Sequence, residues 1–375
     1  MKDYLKKNKL LSEIVFWGMR IFMFLVSLFI KENKKQILFT SYTGRQYSDS
    51  PKVIYEKIKH DTEFEEYKLI WAFENPDSYP DIENKVAINS FKFLKILLKS
   101  KYWVANTSIE RLSGFKPKSK VYIQTWHGVP LKFLGMDEKS GDSLVKKWYS
   151  NVQFDFLFST GKYNTDILRR IFPNSKNSIR EIGLPRNNEL LIATNDENIR
   201  IKEKLGIELD KKVILYAPTF REYKKEKSVP FPFSEDQIEK LSEKYVILNR
   251  GHYFLKSVDA GNNDVLDVTN YSDLNDLLKI SDGLVTDYSS IMFDYAILNR
   301  PIMLLVDDLE EYKQKRGLYI DVEELGYSTF YKENDLFEYL LNNTLPNKIS
   351  YSGLGKQVVG IDNIKVLKQF ILGKN

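Results

Sequence analysis

Short apolar runs alternate with amphipathic stretches along the chain from Gln36 onward. The runs are rich in β-branched and aromatic residues, which favours buried strands. In the first half of the chain they occupy residues 37–40, 68–72, 102–105, 121–124 and 154–158. Between them, Ser50 as an N-cap with Pro51 after it indicates a helix start, and the apolar positions in 91–98 follow helical spacing. This alternation predicts a parallel α/β sheet.

The same alternation begins again after a charged helical stretch at residues 195–205. Its predicted strands occupy residues 213–216, 245–248, 283–286 and 301–306, and its predicted helices 274–280 and 290–298. The chain therefore divides into three predicted parts. They are an N-terminal segment (1–35), an N-terminal Rossmann-like domain (36–190) and a C-terminal Rossmann-like domain (191–375). Two such domains predict an α/β protein of two Rossmann-like domains that face a cleft.

The N-terminal segment carries lysines on both sides of an apolar stretch at residues 10–30. Glu13 and Arg20 interrupt this stretch, and its longest uncharged run, 21–30, is shorter than the roughly 20 residues of a membrane-spanning helix. Lysines follow the stretch directly and no small-x-small cleavage site is present, which argues against a signal peptide. We expect an amphipathic helix that docks on anionic lipid. The alternative is a helix that packs on the protein's own core.

The composition of the chain limits the kinds of functional site that it can contain. Hydrophobic residues make up 43% of the chain and aromatic residues 14%, as in a folded protein. Because the chain has no cysteine, disulfides, thiolate zinc sites and cysteine nucleophiles are excluded. No strong metal-ligand spacing occurs, so we expect neither an obligatory metal nor another cofactor. The net charge of +5 suggests anionic partners such as nucleotides, phosphates or acidic lipid, but nucleic acid is not predicted.

His127 is one of only three histidines and follows the predicted strand 121–124 directly. In open α/β sheets, ligands bind beyond the carboxyl ends of the strands. Gly128 and Pro130 would fix a tight loop there. Proton transfer by His127 and a structural histidine bonded to a backbone carbonyl are equally compatible with this position.

Two strand ends in the second half suggest phosphate recognition. Arg250 and His252 follow the strand 245–248, and a guanidinium next to an imidazole suits phosphate oxygens. The alternative is an arginine paired with a nearby carboxylate. Ser289 and Ser290 follow the strand 283–286 and cap a helix start, where free N–H groups favour phosphate. Simple capping explains these serines equally well.

Three further residues are candidates for the same site. Asp294 lies one turn along the helix that follows Ser290, where it can reach a ribose hydroxyl or orient the loop. Arg186 and Arg221 each follow an apolar run and can line the cleft with positive charge. A single arginine in such a loop is more often structural, so only their convergence would indicate a phosphate site.

Four motifs follow one another along the chain: WHGVPLK at 126–132, GLPRN at 183–187, YAPTFR at 216–221 and TDYSSIMFDYA at 286–296. This ordered set resembles the CDP-glycerol glycerophosphotransferase family of wall teichoic acid and capsule synthesis, in its shorter, primase-like members. The resemblance covers residues 36–335.

This resemblance implies a GT-B enzyme on the cytoplasmic face of the plasma membrane, with a polyprenyl-diphosphate-linked acceptor and other wall-polymer enzymes as partners. The donor would be CDP-glycerol or CDP-ribitol, and CMP would leave. His127 would be the acceptor-side base and His252 would bind the donor diphosphate. The implied donor-binding residues are Arg250, Thr286, Asp287, Ser289, Ser290 and Asp294. His252 is followed by Tyr253, where many family members have proline.

Two other functions remain open from the sequence. A GT-B glycosyltransferase with a UDP- or GDP-sugar donor would share the architecture. A non-catalytic membrane scaffold would not need histidines at strand ends.

Overall fold

The computed structural model describes residues 9–138, 142–224, 229–251, 264–351 and 357–374. In this part of the chain, the strands are β1 (Asn33–Thr40), β2 (Lys68–Phe73), β3 (Lys85–Ala87), β4 (Ser100–Ala105), β5 (Val121–Gln124), β6 (Phe156–Ser159), β7 (Ile179–Glu181), β8 (Lys212–Ala217), β9 (Tyr245–Asn249), β10 (Val265–Asp267), β11 (Gly283–Thr286), β12 (Ile302–Leu305) and β13 (Ser328–Phe330).

The α-helices are α1 (Lys9–Ser27), α2 (Asp49–Lys59), α3 (Phe91–Lys99), α4 (Ser143–Asn151), α5 (Lys162–Ile171), α6 (Asn188–Leu191), α7 (Asn195–Lys204), α8 (Glu235–Ser242), α9 (Leu274–Ile280), α10 (Ile291–Ala296), α11 (Leu309–Lys315), α12 (Glu333–Asn342) and α13 (Asn363–Leu372). The expected α/β class with parallel sheets is confirmed, since every pairing between these strands is parallel.

The two sheets share one topology. The first has strand order β3-β2-β1-β4-β5-β6-β7, and the second has order β10-β9-β8-β11-β12-β13. The order reverses between β1 and β4 in the first sheet and between β8 and β11 in the second. Such a reversal opens a crevice at the carboxyl ends of the strands, which is where doubly wound folds bind ligands.

The strands are apolar on both faces because both faces of each sheet are covered. On β1, consecutive residues Ile37, Leu38 and Phe39 are fully buried, as expected for a parallel strand between helical layers. This explains why the strands appear in the sequence as continuous apolar runs rather than as alternating patterns.

The chain forms two compact units whose bounds differ from the predicted domains 36–190 and 191–375. Unit 1 comprises Met1–His127, Leu134–Arg186 and Val358–Asn375, and unit 2 comprises Gly128–Phe133 and Asn187–Gln357. The last helix, α13, returns to unit 1 because its apolar residues join the core of the first sheet. The segment Gly128–Phe133 joins unit 2 through backbone bonds from Phe133 N to Gly317 O and from Tyr319 N to Leu131 O (3.1 and 2.8 Å).

Helix α1 packs one face on unit 1 and leaves the other exposed. Phe16 is fully buried, Arg20 Nη1 donates to Gly114 O at 2.7 Å, and Glu13 pairs with Lys147 at 2.9 Å. Large apolar side chains on the outer face are at least half exposed: Leu10, Ile14, Trp17, Ile21, Phe22, Phe24 and Leu25. By length and composition alone, residues 10–27 would suffice to cross a membrane, a criterion that buried core helices and signal sequences also meet. Only 17% of this stretch is buried.

Candidate functional site

His127 lies at the end of β5, and its ring orientation is fixed by the neighbouring strand. Its Nδ1 is 2.7 Å from the carbonyl oxygen of Asn106, the residue that follows β4. Because a carbonyl oxygen only accepts, Nδ1 carries the proton of the neutral ring and Nε2 is left as the basic nitrogen. The ring is partly exposed. The bond to the backbone carbonyl fits the structural alternative, and proton transfer by the other nitrogen stays a prediction.

A buried ion pair between Arg186 and Asp49 contacts the backbone of this histidine. Arg186 Nη1 donates to Asp49 Oδ2 at 2.8 Å and to the carbonyl oxygen of His127 at 3.1 Å. The same Asp49 oxygen accepts from Tyr42 Oη at 2.7 Å and from Asn106 Nδ2 at 3.0 Å. Asp49 thus holds both Asn106, which orients the imidazole, and Arg186, which holds the histidine's own backbone. Neither Asp49 nor Tyr42 nor Asn106 was singled out from the sequence.

The charges around His127 set its protonation. Burial lowers its pKa, as does Arg186, whereas the Asn106 carbonyl and the Asp49 carboxylate partly oppose this shift. For Asp49, burial alone would raise the pKa, but Arg186 and the hydrogen bonds from Tyr42, Ser50 and Asn106 hold it below its usual range. Asp49 is therefore ionised and His127 neutral at pH 7, the state required of a general base.

The backbone around this histidine is strained. Among the described residues other than glycine, positive φ angles occur at Tyr42, Thr43, Asp49, Arg111, Leu112, Trp126 and Asn299. His127 and four of these residues, Thr43, Arg111, Leu112 and Trp126, line one cavity of about 370 Å³. Non-glycine residues in the left-handed region cost free energy and concentrate at functional sites.

In unit 2, the predicted phosphate arginine Arg221 is instead the centre of a buried ion cluster. Its Nε and Nη2 donate to Asp308 at 2.7 and 2.9 Å, and its Nη1 donates to Asp287 at 2.7 Å. The guanidinium also lies about 5 Å from the ring centres of Tyr288 and Tyr312. Burial would lower the pKa of Arg221, but the two carboxylates raise it well above its usual value. These contacts favour the structural alternative for Arg221.

The predicted donor-binding residues at the end of β11 divide into two groups. Thr286 and Asp287 are buried: Thr286 Oγ1 donates to Ala217 O at 2.6 Å, and Asp287 Oδ1 accepts from Thr219 N at 2.8 Å. Both therefore join the end of β11 to the end of β8, where the strand order reverses. Their predicted contact with a phosphate stays a prediction.

The two serines that follow are partly exposed. Ser290 is the N-cap of α10, and its hydroxyl makes no capping hydrogen bond, while Ser289 Oγ accepts weakly from Ile291 N at 3.4 Å. Their position at the switch point of the second sheet is where doubly wound folds bind nucleotides.

Asp294 contacts both ends of the segment Asn187–Gln357 of unit 2. Its Oδ1 accepts from Asn187 Nδ2 at 2.9 Å and from Gln357 Nε2 at 3.3 Å, and Asn187 Nδ2 also donates to Gln357 Oε1 at 3.0 Å. These are the first and last residues of the segment Asn187–Gln357. The carboxylate is buried, so its observed contacts are structural.

Arg250 Nη1 donates to the carbonyl oxygens of Val268 and Tyr271 at 2.9 and 3.0 Å. The predicted role of His252 falls outside the described residues and stays a prediction.

Lys132, a cation of unit 2, was not assigned a role from the sequence. Its backbone forms an isolated antiparallel bridge with Leu318. Burial lowers the pKa of its ammonium, while Asp287 and Glu222 partly oppose this shift. Its place in the motif at residues 126–132 was the feature of the sequence that could have indicated a role. Within the described residues, no group of three or more histidine, aspartate or glutamate side chains is arranged to hold a metal ion.

The sequence is similar to proteins of teichoic acid synthesis. Residues 22–354 match the family described as CDP-Glycerol:Poly(glycerophosphate) glycerophosphotransferase. A teichoic acid poly(glycerol phosphate) polymerase of Bacillus spizizenii is 35% identical over 85% of this chain and 86% of its own length. A teichoic acid glycerol-phosphate transferase of Staphylococcus aureus is 37% identical over 78% and 79%. A polymerase of Staphylococcus epidermidis is 37% identical over 77% of this chain, which spans 43% of that relative.

Solved structures agree with this similarity. The wall teichoic acid polymerase TagF has a TM-score of 0.75 at 31% identity, with 98% of this chain and 91% of that chain covered. A TagF variant soaked with CDPG has a TM-score of 0.74 at 33% identity, with 89% and 88% covered. A UDP-GlcNAc 2-epimerase from Methanocaldococcus jannaschii, at 14% identity and a TM-score of 0.51, shares the fold alone.

Proposed function

The chain belongs to the CDP-glycerol:poly(glycerophosphate) glycerophosphotransferase family, and we propose that it transfers glycerol phosphate from CDP-glycerol to a hydroxyl of a lipid-linked acceptor in wall teichoic acid synthesis. CMP is the leaving group. The observation that carries this proposal is the oriented imidazole of His127, whose Nδ1 is bound to Asn106 O and whose Nε2 remains basic.

In the proposed reaction, Nε2 of His127 takes the proton of the acceptor hydroxyl. The hydroxyl oxygen forms a bond to the glycerol-bearing phosphorus of the donor, and the bond from that phosphorus to the bridging oxygen of CMP breaks. Phosphoryl-type transfers depend mainly on positioning and charge stabilisation, so a base of fixed orientation is valuable. The ionised Asp49 stabilises the imidazolium that forms, because its charge favours the protonated ring.

The donor is proposed to bind unit 2 at the switch point of the second sheet. Ser289 and Ser290 offer hydroxyls there, Lys132 offers a desolvated ammonium, and His252 is proposed to contact the diphosphate. The GT-B arrangement is part of the same proposal. The relatives named as glycerol-phosphate enzymes, and the CDPG-soaked TagF variant, support glycerol rather than ribitol as the transferred alcohol.

A donor screen tests this function. Purified protein is incubated with CDP-glycerol, CDP-ribitol or UDP-hexoses and a lipid-linked acceptor ending in glycerol phosphate, and the released nucleotide is identified by mass spectrometry together with the extended lipid. We expect CMP and a product one or more glycerol phosphates longer. UDP release would support the glycosyltransferase alternative instead, and CMP release with CDP-ribitol alone would reassign the alcohol.

We further propose that α1 attaches the enzyme peripherally to the cytoplasmic face of the membrane. The exposed apolar face of the helix, together with lysines such as Lys31 and Lys34 that follow it, supports insertion into an anionic interface. Glu13 and Arg20 of α1 are engaged by Lys147 and Gly114 of unit 1, which supports a helix lying on the surface rather than crossing the bilayer.

Liposome sedimentation tests the docking. Replacement of both Trp17 and Phe24 by glutamate removes apolar contact from the outer face and adds charge, so binding to phosphatidylglycerol vesicles should fall at least tenfold. A matched control replaces Tyr331 and Val359, which are also exposed but outside α1, and should bind as wild type. Undiminished binding by the α1 variant would contradict docking through this helix.

A further inference from the structure

The cavity beside His127 is built from unit 1 alone and has a mixed lining. One wall is aromatic and consists of Trp126, Trp148 and Tyr149. The polar part of the lining includes Thr43, Thr107 and Arg111. Its volume of about 370 Å³ falls in the range of small-molecule sites, roughly 300–1,000 Å³. Apart from His127, no residue of this lining was assigned a role from the sequence.

The loop that carries Arg111 is held rigidly by the sheet below it. Tyr122 Oη on β5 accepts from Ile109 N at 3.2 Å and lies 3.2 Å from Thr107 O, and Gln124 Nε2 donates to Thr107 O at 3.2 Å. Arg111 has a φ of 58°, a conformation that costs free energy for a side chain of this type. A strained loop fixed by buried polar contacts indicates a site that is formed before the ligand arrives.

The aromatic wall is fixed by a buried carboxyl group. Glu110 accepts a hydrogen bond from Trp148 Nε1, and its other oxygen accepts from Tyr122 Oη at 3.1 Å. Glu110 is buried, and this burial raises the pKa of its carboxyl group. The rings of Trp148 and Tyr149 meet edge to face, with centroids 5.1 Å apart. Trp148 is therefore held in one orientation toward the cavity.

The single charged side chain on the described lining, apart from the titratable His127, is Arg111. It is exposed, and no described residue forms an ion pair or hydrogen bond with its guanidinium. A guanidinium binds phosphate oxygens, and hydroxyl side chains form hydrogen bonds with a polyol. An imidazole beside them can take the proton of the hydroxyl that reacts.

We propose that this cavity binds the terminal unit of the acceptor, a polyol joined through a phosphodiester, with Arg111 on the phosphate and the free polyol hydroxyl at His127. This inference rests on the proposed function and adds the place and chemistry of acceptor recognition. Because the cavity lies wholly in unit 1, it leaves the donor site of unit 2 untouched.

Acceptor kinetics test the role of Arg111. Asparagine is the appropriate replacement because it tolerates a positive φ, and Arg111→Asn should raise the KM for an acceptor ending in glycerol phosphate by about tenfold or more. The KM for CDP-glycerol should change by less than about twofold. Arg111→Lys, which keeps the charge, should recover most of the acceptor affinity. Arg169→Asn is the matched control, since Arg169 is an exposed arginine of α5 outside the lining.

A second pair of variants tests the cavity without altering charge. Val145 lines the cavity from α4, whereas its neighbour Leu144 does not, and both are partly exposed. Val145→Phe should narrow the cavity and raise the acceptor KM, and Leu144→Phe should not. Equal behaviour of the two variants would overturn the assignment.

A binding measurement separates this inference from the proposed reaction. Titration of the full chain with glycerophosphoglycerol, followed by tryptophan fluorescence, should give saturable quenching, since Trp126 and Trp148 line the cavity. Arg111→Asn should weaken it about tenfold. Quenching by farnesyl diphosphate but not by glycerophosphoglycerol would overturn the inference. If wild type releases CMP but Arg111→Asn keeps its acceptor KM, the inference fails and the function stands; without CMP release from CDP-glycerol, the function itself fails.

Discussion

The Nδ1 of His127 lies 2.7 Å from the carbonyl oxygen of Asn106, and the amide of the same Asn106 donates to Asp49 at 3.0 Å. One asparagine therefore connects a buried carboxylate to the tautomer of the proposed base. The carboxylate does not touch the imidazole nitrogen, so it acts as a positioning residue. This indirect arrangement predicts different effects of mutation from those expected of a direct Asp–His contact.

Asp49→Asn should lower kcat/KM by about tenfold, because Arg186 and Asn106 lose the charge that holds them and the imidazole loses its fixed position. The acid limb of the pH profile should also move to lower pH. Burial and Arg186 lower the pKa of His127, whereas the Asn106 carbonyl and Asp49 raise it, so removal of the carboxylate takes away one of the two raising influences. Asp166→Asn, at an exposed ion pair of α5, serves as the control. A shift of the limb to higher pH would contradict this account.

The wild-type pH profile should show activity that depends on neutral His127. Because burial lowers the pKa of this imidazole, the deprotonated base persists below the ordinary histidine pKa of about 6.5. Activity should therefore rise with pH along a limb whose midpoint in kcat/KM lies below 6.5, and it should already be near its maximum at pH 7. A midpoint well above 6.5 would show that a different group is the base.

Ser290 and Thr286 should respond differently to loss of their hydroxyls. Ser290→Ala should raise the KM for CDP-glycerol by up to about tenfold, the effect expected for one hydrogen bond, because its hydroxyl is partly exposed and makes no capping bond. Thr286→Val should instead lower thermal stability with a smaller effect on that KM, since Thr286 Oγ1 donates to Ala217 O. Initial rates give the KM of each variant for CDP-glycerol, and melting curves give its thermal stability. The reverse pattern would show that Thr286, rather than Ser290, binds the donor phosphate.

Arg221→Met should destabilise the protein by about 3–5 kcal/mol, because it leaves Asp287 and Asp308 with uncompensated charge in a mostly buried cluster. Urea denaturation measures this change. Arg169→Met, at an exposed arginine of α5, should change stability by less than about 0.5 kcal/mol. If Arg221→Met unfolds like wild type but loses donor affinity, the arginine binds phosphate as first expected from its position.

The sequence predicted the central strands well because parallel strands between two helical layers are continuous apolar runs. β5 and β11 have the bounds that the pattern indicated, Val121–Gln124 and Gly283–Thr286. The strands it missed are all short: β3, β7, β10 and β13 have three residues each. A three-residue strand has too little periodicity to be distinguished from a loop.

The helix start at Ser50 was misplaced by two residues. The N-cap of α2 is Ser48 and the helix begins at Asp49, whose φ is 63°. Ser50 Oγ accepts from Arg186 N at 3.3 Å instead. The site's supporting contacts depend on this local geometry and on residues far apart in the chain. This is why the sequence indicated His127 but neither Asp49 nor Asn106.

The domain bounds illustrate a further limit. Helix α13 has the amphipathic pattern of any surface helix, and only its packing shows that Ile364, Leu367 and Ile371 join the core of the first sheet. Likewise, the sequence shows Arg186 and Arg221 only as arginines that follow apolar runs. Their carboxylate partners, Asp49 and Asp287, lie more than 60 residues away and appear only in the folded chain.

The most direct test of the central claim is the turnover of His127→Ala beside wild type, with CDP-glycerol, a lipid-linked acceptor ending in glycerol phosphate and CMP release as the readout. The account predicts a kcat lower by about 10²–10⁴-fold with unchanged circular dichroism and donor KM, because only the base is lost. His60→Ala, at the end of α2, should keep full turnover. A folded His127→Ala protein that releases CMP at the wild-type rate would contradict the account.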